Sequence, residues 1–220
     1  MLLRLAASVV ASAALAGCSV FGDRSNLEMP DYKVVDTLGD DLKVRRYGVR
    51  VAAQATVTVA SVDSGQSKAF KLLFDYIKGA NEGGQEVAMT APVETGTRGT
   101  EIAMTAPVET AETKAAGDGS TQVTMRFLLP GKFTPETAPV PTNPKLSLVE
   151  LPAETMAVLR FSGFGWRDTV MEKRDTLMRR LKTTDWAPKG ETITMFYDPP
   201  WTLPFFRRNE VAVPVARASG

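Results

Sequence analysis

From Tyr32 to Val215 the apolar residues of this chain change period twice, in the same order each time. Val51, Ala53, Ala55, Val57 and Val59 lie on one side of an alternating segment, the mark of a strand with one covered face. Phe70, Leu73, Phe74 and Ile77 then fall at i, i+3, i+4 and i+7, one apolar stripe along a helix. Val123, Met125, Phe127 and Leu129 alternate again, and Val170, Leu177, Met178 and Leu181 share a second helical face in which only Arg174 is polar. Strand faces and helix stripes must cover one another. The class is α+β: an antiparallel sheet with two helices packed on it.

Each half repeats a strand-strand-helix-strand order. In the first, Tyr32–Leu38 and Leu42–Tyr47 read as strands about the turn Gly39-Asp40-Asp41, and a strand over Val49–Val59 leads to the first helix. Ser64 or Ser67 is the expected cap of that helix, and Gly79 its left-handed stop. In the second, Pro130-Gly131 ends the opening strand, and residues 132 to 145, with four prolines, form a loop. Leu146–Leu151 and Thr155–Phe161 follow as strands. Thr169 with Glu172 three residues on has the form of a capping box for the second helix. Ile193, Met195 and Tyr197 alternate in a further strand. The last strand holds Val211, Val213 and Val215, and Pro214, which donates no ladder hydrogen bond, places it at an edge or an end.

One decapeptide occurs almost twice, Glu86-Val-Ala-Met-Thr-Ala-Pro-Val-Glu-Thr95 and Glu101-Ile-Ala-Met-Thr-Ala-Pro-Val-Glu-Thr110. Two copies make no repeat array. Gly96 and Gly99 in the bridge permit a reversing turn, so the copies are expected to pair as a hairpin.

The chemistry available is bounded by what is missing. The chain has 220 residues, no histidine and one cysteine, Cys18. That excludes Ser-His-Asp and Cys-His catalysis, imidazole-held metals and any intrachain disulfide. Net charge is +1 with Lys and Arg scattered, so no nucleic-acid footprint exists. Gly163-Phe-Gly165 is a turn rather than a dinucleotide fingerprint, and no carboxylate pair stands out. Nothing in the sequence asks for an enzyme.

Residues 1–17 read as a signal peptide: Arg4 precedes a short apolar run from Leu5 to Ala14. Leu15-Ala16-Gly17-Cys18 resembles the lipobox of bacterial lipoproteins, with Cys18 as the lipidation site. Ser19 after it implies the outer membrane of the cell envelope. The acyl chains would hold the protein on the lipid bilayer. Residues 18–30 then form a lipidated tether, and 31–216 the folded domain.

Several segments, in order, are similar to the SOUL, or haem-binding-protein, family. They are Tyr32-Lys-Val-Val, Leu42-Lys-Val-Arg-Arg-Tyr47, Tyr76-Ile-Lys-Gly-Ala-Asn81, the twice-occurring Ala-Met-Thr-Ala-Pro-Val, and Tyr197-Asp-Pro-Pro-Trp-Thr-Leu-Pro-Phe-Phe-Arg-Arg-Asn-Glu-Val211. The resemblance implies a distorted β-barrel with two helices and a bound haem or related tetrapyrrole, non-covalent and without a histidine ligand. It implies an apolar groove on the first helix, with Phe70, Phe74 and Ile77 under the porphyrin and Lys71 and Lys78 at the propionates. Asp75 opposes a propionate there if it faces the groove. Arg207 and Arg208 either meet a carboxylate or anchor the Pro-rich loop. Met89 and Met104 are the thioether candidates for iron, although a strand Met is more often a gap-filler. Trp166 and Trp186, flanking the second helix, read as packing residues. The competing class is an effector-binding module for another small amphipathic ligand.

Overall fold

The computed structural model describes residues 20–98 and 121–218. The elements in chain order are β1 (Tyr32–Thr37), β2 (Leu42–Tyr47), β3 (Arg50–Val59), α1 (Val62–Ile77), β4 (Val93–Arg98), β5 (Thr121–Leu128), β6 (Leu146–Leu151), β7 (Glu154–Phe161), α2 (Arg167–Leu181), β8 (Trp186–Pro188), β9 (Ile193–Phe196) and β10 (Asn209–Arg217), with a 3-10 turn at Pro204–Phe206. The fold is α+β, with antiparallel strands and two helices, and the element order recurs as the periodicity predicts. No helix among the described residues is long and apolar enough to cross a membrane. Cys18 and the second decapeptide copy lie outside the described residues.

Two compact units form, and neither is a sequential half: of the described residues, one draws on 20–50, 89–93 and 152–218, the other on 51–88, 94–98 and 121–151. In the first unit the strand order is β1-β2-β7-β10-β9, with β8 also on β10, all antiparallel. One face of these strands buries Leu42, Val44, Ala157, Leu159, Val211 and Val213 against Val170, Leu177 and Leu181 of α2. Alternation sends Tyr47, Met156, Val158 and Ala212 to the opposite face.

The edge position predicted for the last strand is wrong. β10 is central, between β7 on one side and β9 then β8 on the other. Pro214 is tolerated because it falls where the partner changes: the β9 ladder stops at Ala212 and the β8 ladder begins at Val215. The cap of α2 differs too. The helix starts at Arg167 after Trp166, with no side-chain cap, so Thr169 lies inside its first turn.

In the second unit β3 pairs antiparallel with β5 from Ala52↔Leu128 to Val59↔Thr121. β6 lies beyond β3 and β4 beyond β5. Helix α1 is capped one turn earlier than predicted, by Ser61, whose side chain accepts from the Ser64 N–H. It ends at Gly79 with φ +107°, as the glycine's place in the sequence predicts. Its buried stripe is Gly65, Ala69, Leu73, Tyr76 and Ile77. The predicted stripe is therefore rotated, because small residues, invisible to an apolar count, let the helix approach the strands.

Of the first decapeptide copy, only Val93 to Thr95 belong to β4. Gly96, predicted with Gly99 to permit the turn, instead continues that strand with Thr97 and Arg98 beside β5, and Gly99 lies outside the described residues.

Candidate functional site

Rotation of the α1 stripe decides what the helix offers to solvent. Leu73 and Ile77 go inward, while Phe70 and Phe74 remain 40% exposed each. Their rings stack, with centroids 6.0 Å apart and planes 15° from parallel. Phe70 also meets the buried Phe127 of β5 edge-on at 5.4 Å. That contact fixes the ring from below and leaves an apolar surface facing outward. Beneath the helix Tyr76 donates its hydroxyl proton to the Pro139 carbonyl at 2.8 Å, and burial pushes its pKa up to about 12.

Lys71 and Lys78 are on the same helix but already have partners. The Lys71 ammonium meets Asp75 at 3.0 Å, one helical turn on, and Lys78 meets Glu86 at 3.8 Å. Asp75 thus holds a cation in place. All four side chains are exposed, and such pairs are worth about 0–1 kcal/mol, so an incoming carboxylate displaces either acid at small cost. Ile77 is buried and supports the helix without lining its outer surface.

Arg207 and Arg208 lie in the other unit, and both are engaged there. Arg207 donates to the carbonyls of Thr202 and Pro200, and its guanidinium stacks on Phe164 at 4.9 Å. The Arg208 N–H donates to Asp198 at 2.7 Å, and its guanidinium lies 4.0 Å over Tyr197. Of the two roles the sequence left open, these bonds are those of loop anchors.

Arg208 also belongs to a buried network that sequence reasoning missed. Glu210, with no exposed surface, accepts both guanidinium N–H groups of Arg45 at 2.8 and 3.0 Å, two from Arg208, and the Tyr197 hydroxyl at 2.7 Å. Burial pushes the Glu210 pKa up, but the hydrogen bonds and charge of Arg45, with Arg208, outweigh it and hold the carboxyl below its ordinary value. Burial, and then the neighbouring carboxylate, raise Tyr197 well above an ordinary phenol. A carboxylate surrounded in this way offers no open acceptor to a ligand and no proton to a reaction. The signal was in the sequence: Leu42-Lys-Val-Arg-Arg-Tyr47 places Arg45 within a strand and Arg-Arg-Asn-Glu places Glu210 within one with Arg208 just before it, where a charge must find a partner or water.

No group of three or more acidic or cysteine side chains placed to hold a metal occurs among the described residues. Tyr47, Tyr76 and Tyr197 use their hydroxyls inside the protein. Met89 is partly exposed, and Met104 lies outside the described residues. Trp186 packs as predicted, donating its indole N–H to Asp36 at 2.8 Å. Trp166 does not: it is 68% exposed, stacked on Phe164 at 4.8 Å.

These features belong to an α+β fold of antiparallel strands and two helices. The model of the family described as SOUL heme-binding protein matches residues 27–214, across both units, and the chain belongs to that family. Among solved structures, the EcmrR C-terminal domain is similar at TM-score 0.58 and 12% identity, covering 85% of this chain and 99% of that one. A hydrolase from Listeria innocua is similar at TM-score 0.52 and 11% identity, covering 80% and 92%. At such identities the likeness is one of fold. No curated protein matches the sequence.

Proposed function

We propose that this protein is a lipid-anchored, non-enzymatic binder of haem or a related tetrapyrrole. Family membership supports the ligand class. The observation that carries the reading to particular residues is the stacked, half-exposed Phe70–Phe74 pair, whose outer surface fits a flat apolar macrocycle. Lys71 and Lys78 receive the propionates by exchanging their weak surface acids. Because the chain has no histidine, iron is held here without an imidazole of this protein. When bound, the tetrapyrrole supplies its own iron and its visible absorption, and the protein supplies a surface and two cations. Cys18 anchors the protein to the bacterial envelope, at the outer membrane.

Titration of the untagged protein with hemin, followed at the Soret band, tests this. Saturable one-to-one binding is expected, weakened about tenfold or more, some 1.4 kcal/mol, in Phe74→Asp and less in Lys71→Glu. Binding no better than that of an unrelated lipoprotein overturns the tetrapyrrole reading and favours another small amphipathic ligand.

A further inference from the structure

The most exposed aromatic side chains of the first unit are linked to one another through contacts. Trp166 is 68% exposed, Phe205 67%, Trp201 63% and Phe21 62%. A chain of contacts connects them: Trp166 stacks on Phe164, Arg207 lies over Phe164 and holds the Pro200 carbonyl beside Trp201, and the Gly163 N–H donates to the Pro204 carbonyl. Phe205 packs on Phe206 at 4.6 Å, and Phe206 meets Phe21 edge-on at 5.8 Å. The loops are fixed from within, so the rings are held outward rather than merely left loose. Exposed aromatic clusters of this kind mark interaction surfaces.

The N-terminal segment identifies the partner. Residues 20–30 are seated on this unit: the Leu203 N–H donates to the Val20 carbonyl at 3.0 Å, and Arg24 bridges to Asp198 at 2.7 Å. Gly22, at φ +72°, passes so close that an added Cβ would stand 2.8 Å from the Phe206 carbonyl. Cys18 stands two residues before Val20, and two residues reach at most about 7 Å. If Cys18 carries acyl chains, its backbone stands within that distance of Val20, which is hydrogen-bonded to the Leu203 loop and precedes Phe21.

We infer that Phe21, Phe164, Trp166, Trp201, Phe205 and Phe206 form a membrane-docking surface that inserts into the interfacial layer of the bilayer beside the lipid anchor. Tryptophan and its aromatic neighbours prefer that layer because their rings are apolar and the indole N–H finds a partner among headgroups. The short, pinned leash then fixes this surface against the membrane, where a free tether would let it swing. The inference rests on lipidation of Cys18 for its geometry and is independent of the haem reading.

The test uses the full chain purified from membranes and reconstituted into phosphatidylethanolamine–phosphatidylglycerol vesicles with lipids brominated near the headgroup. Loss of emission from Trp166 and Trp201 is expected. In the Trp166→Phe/Trp201→Phe variant the remaining buried Trp186 should keep its emission. Phe21→Ser with Phe205→Ser should reduce the quenching. Mass spectrometry of the N-terminal peptide reads lipidation separately. A lipidated chain whose tryptophans are not quenched overturns the docking surface and leaves the anchor standing. An unlipidated chain refutes the anchor, and quenching by added vesicles then decides the surface alone, its absence overturning it. A concentration-dependent dimer abolished by the same Phe variants, without quenching, assigns the surface to a second copy and also overturns the inference.

Discussion

Glu210 shows how much one buried charge constrains this molecule. It sits on central β10, accepts from Arg45 on β2 and from Arg208, and has no water to fall back on. Removing one partner of such a network leaves uncompensated charge in the interior, at a cost of about 3–5 kcal/mol. Glu210→Gln should lower stability by that order in chemical denaturation. Arg45→Met with Glu210→Leu should cost less, since the groups then left without their acceptor are the partly exposed Arg208 and the neutral Tyr197 hydroxyl, and no fully buried charge remains. Glu210 is held below its ordinary value when folded, so its contribution is complete above the unfolded carboxylate pKa of about 4.3 and is lost as pH falls through the folded value. The acid limb of the stability–pH curve should therefore be shallower in Glu210→Gln, and an unchanged limb would remove Glu210 as its cause. The sequence showed these charges but not their meeting, because β2 and β10 are brought together only through β7.

At the scale of elements, both helices were legible from periodicity, as were the glycine stop of α1 and the buried face of α2, whereas both N-terminal caps and the face of α1 were not. Ser61 and Trp166 begin the helices where Ser64 or Ser67 and Thr169 were expected, since several residues compete to cap and packing chooses among them. The face of α1 turns on Gly65. A Cβ there would stand 2.6 Å from Val123 Cγ2 and 2.8 Å from Val59 Cγ2. Gly→Ala inside a helix ordinarily gains about 1 kcal/mol of propensity. Overpacking a core costs about 1–3 kcal/mol. Gly65→Ala should therefore destabilise the protein by roughly 1 kcal/mol on balance. Adding Val123→Ala should cost less than the two single changes summed, because it removes the methyl that the new Cβ meets. A double-mutant cycle in denaturant measures this, and a stabilising Gly65→Ala would show that the helix has room to spare. That close approach also explains why Phe70 and Phe74, half of the predicted apolar stripe, are left exposed.

For the whole molecule, the order of elements was readable because periodicity is local, whereas partnership between strands is not. The repeat of strands and helix invites a picture of two consecutive halves, each folding on itself. The chain instead exchanges strands between them: β2 of the first half pairs with β7 of the second, and β6 of the second lies beside β3 of the first. Each helix consequently packs in a unit that neither half completes. A fragment of residues 20–98 retains α1 but loses β5, on which α1 packs and with which β3 pairs, and loses β7 beside β2. Too few long-range pairings remain to offset the entropy of ordering that fragment. Expressed alone, residues 20–98 should lack a cooperative thermal transition and dispersed amide resonances. Mixed with residues 121–218, they should recover both, with a mass that fits a one-to-one complex. Cooperative unfolding of residues 20–98 alone would mean that the strand exchange is dispensable and that each half carries its own fold.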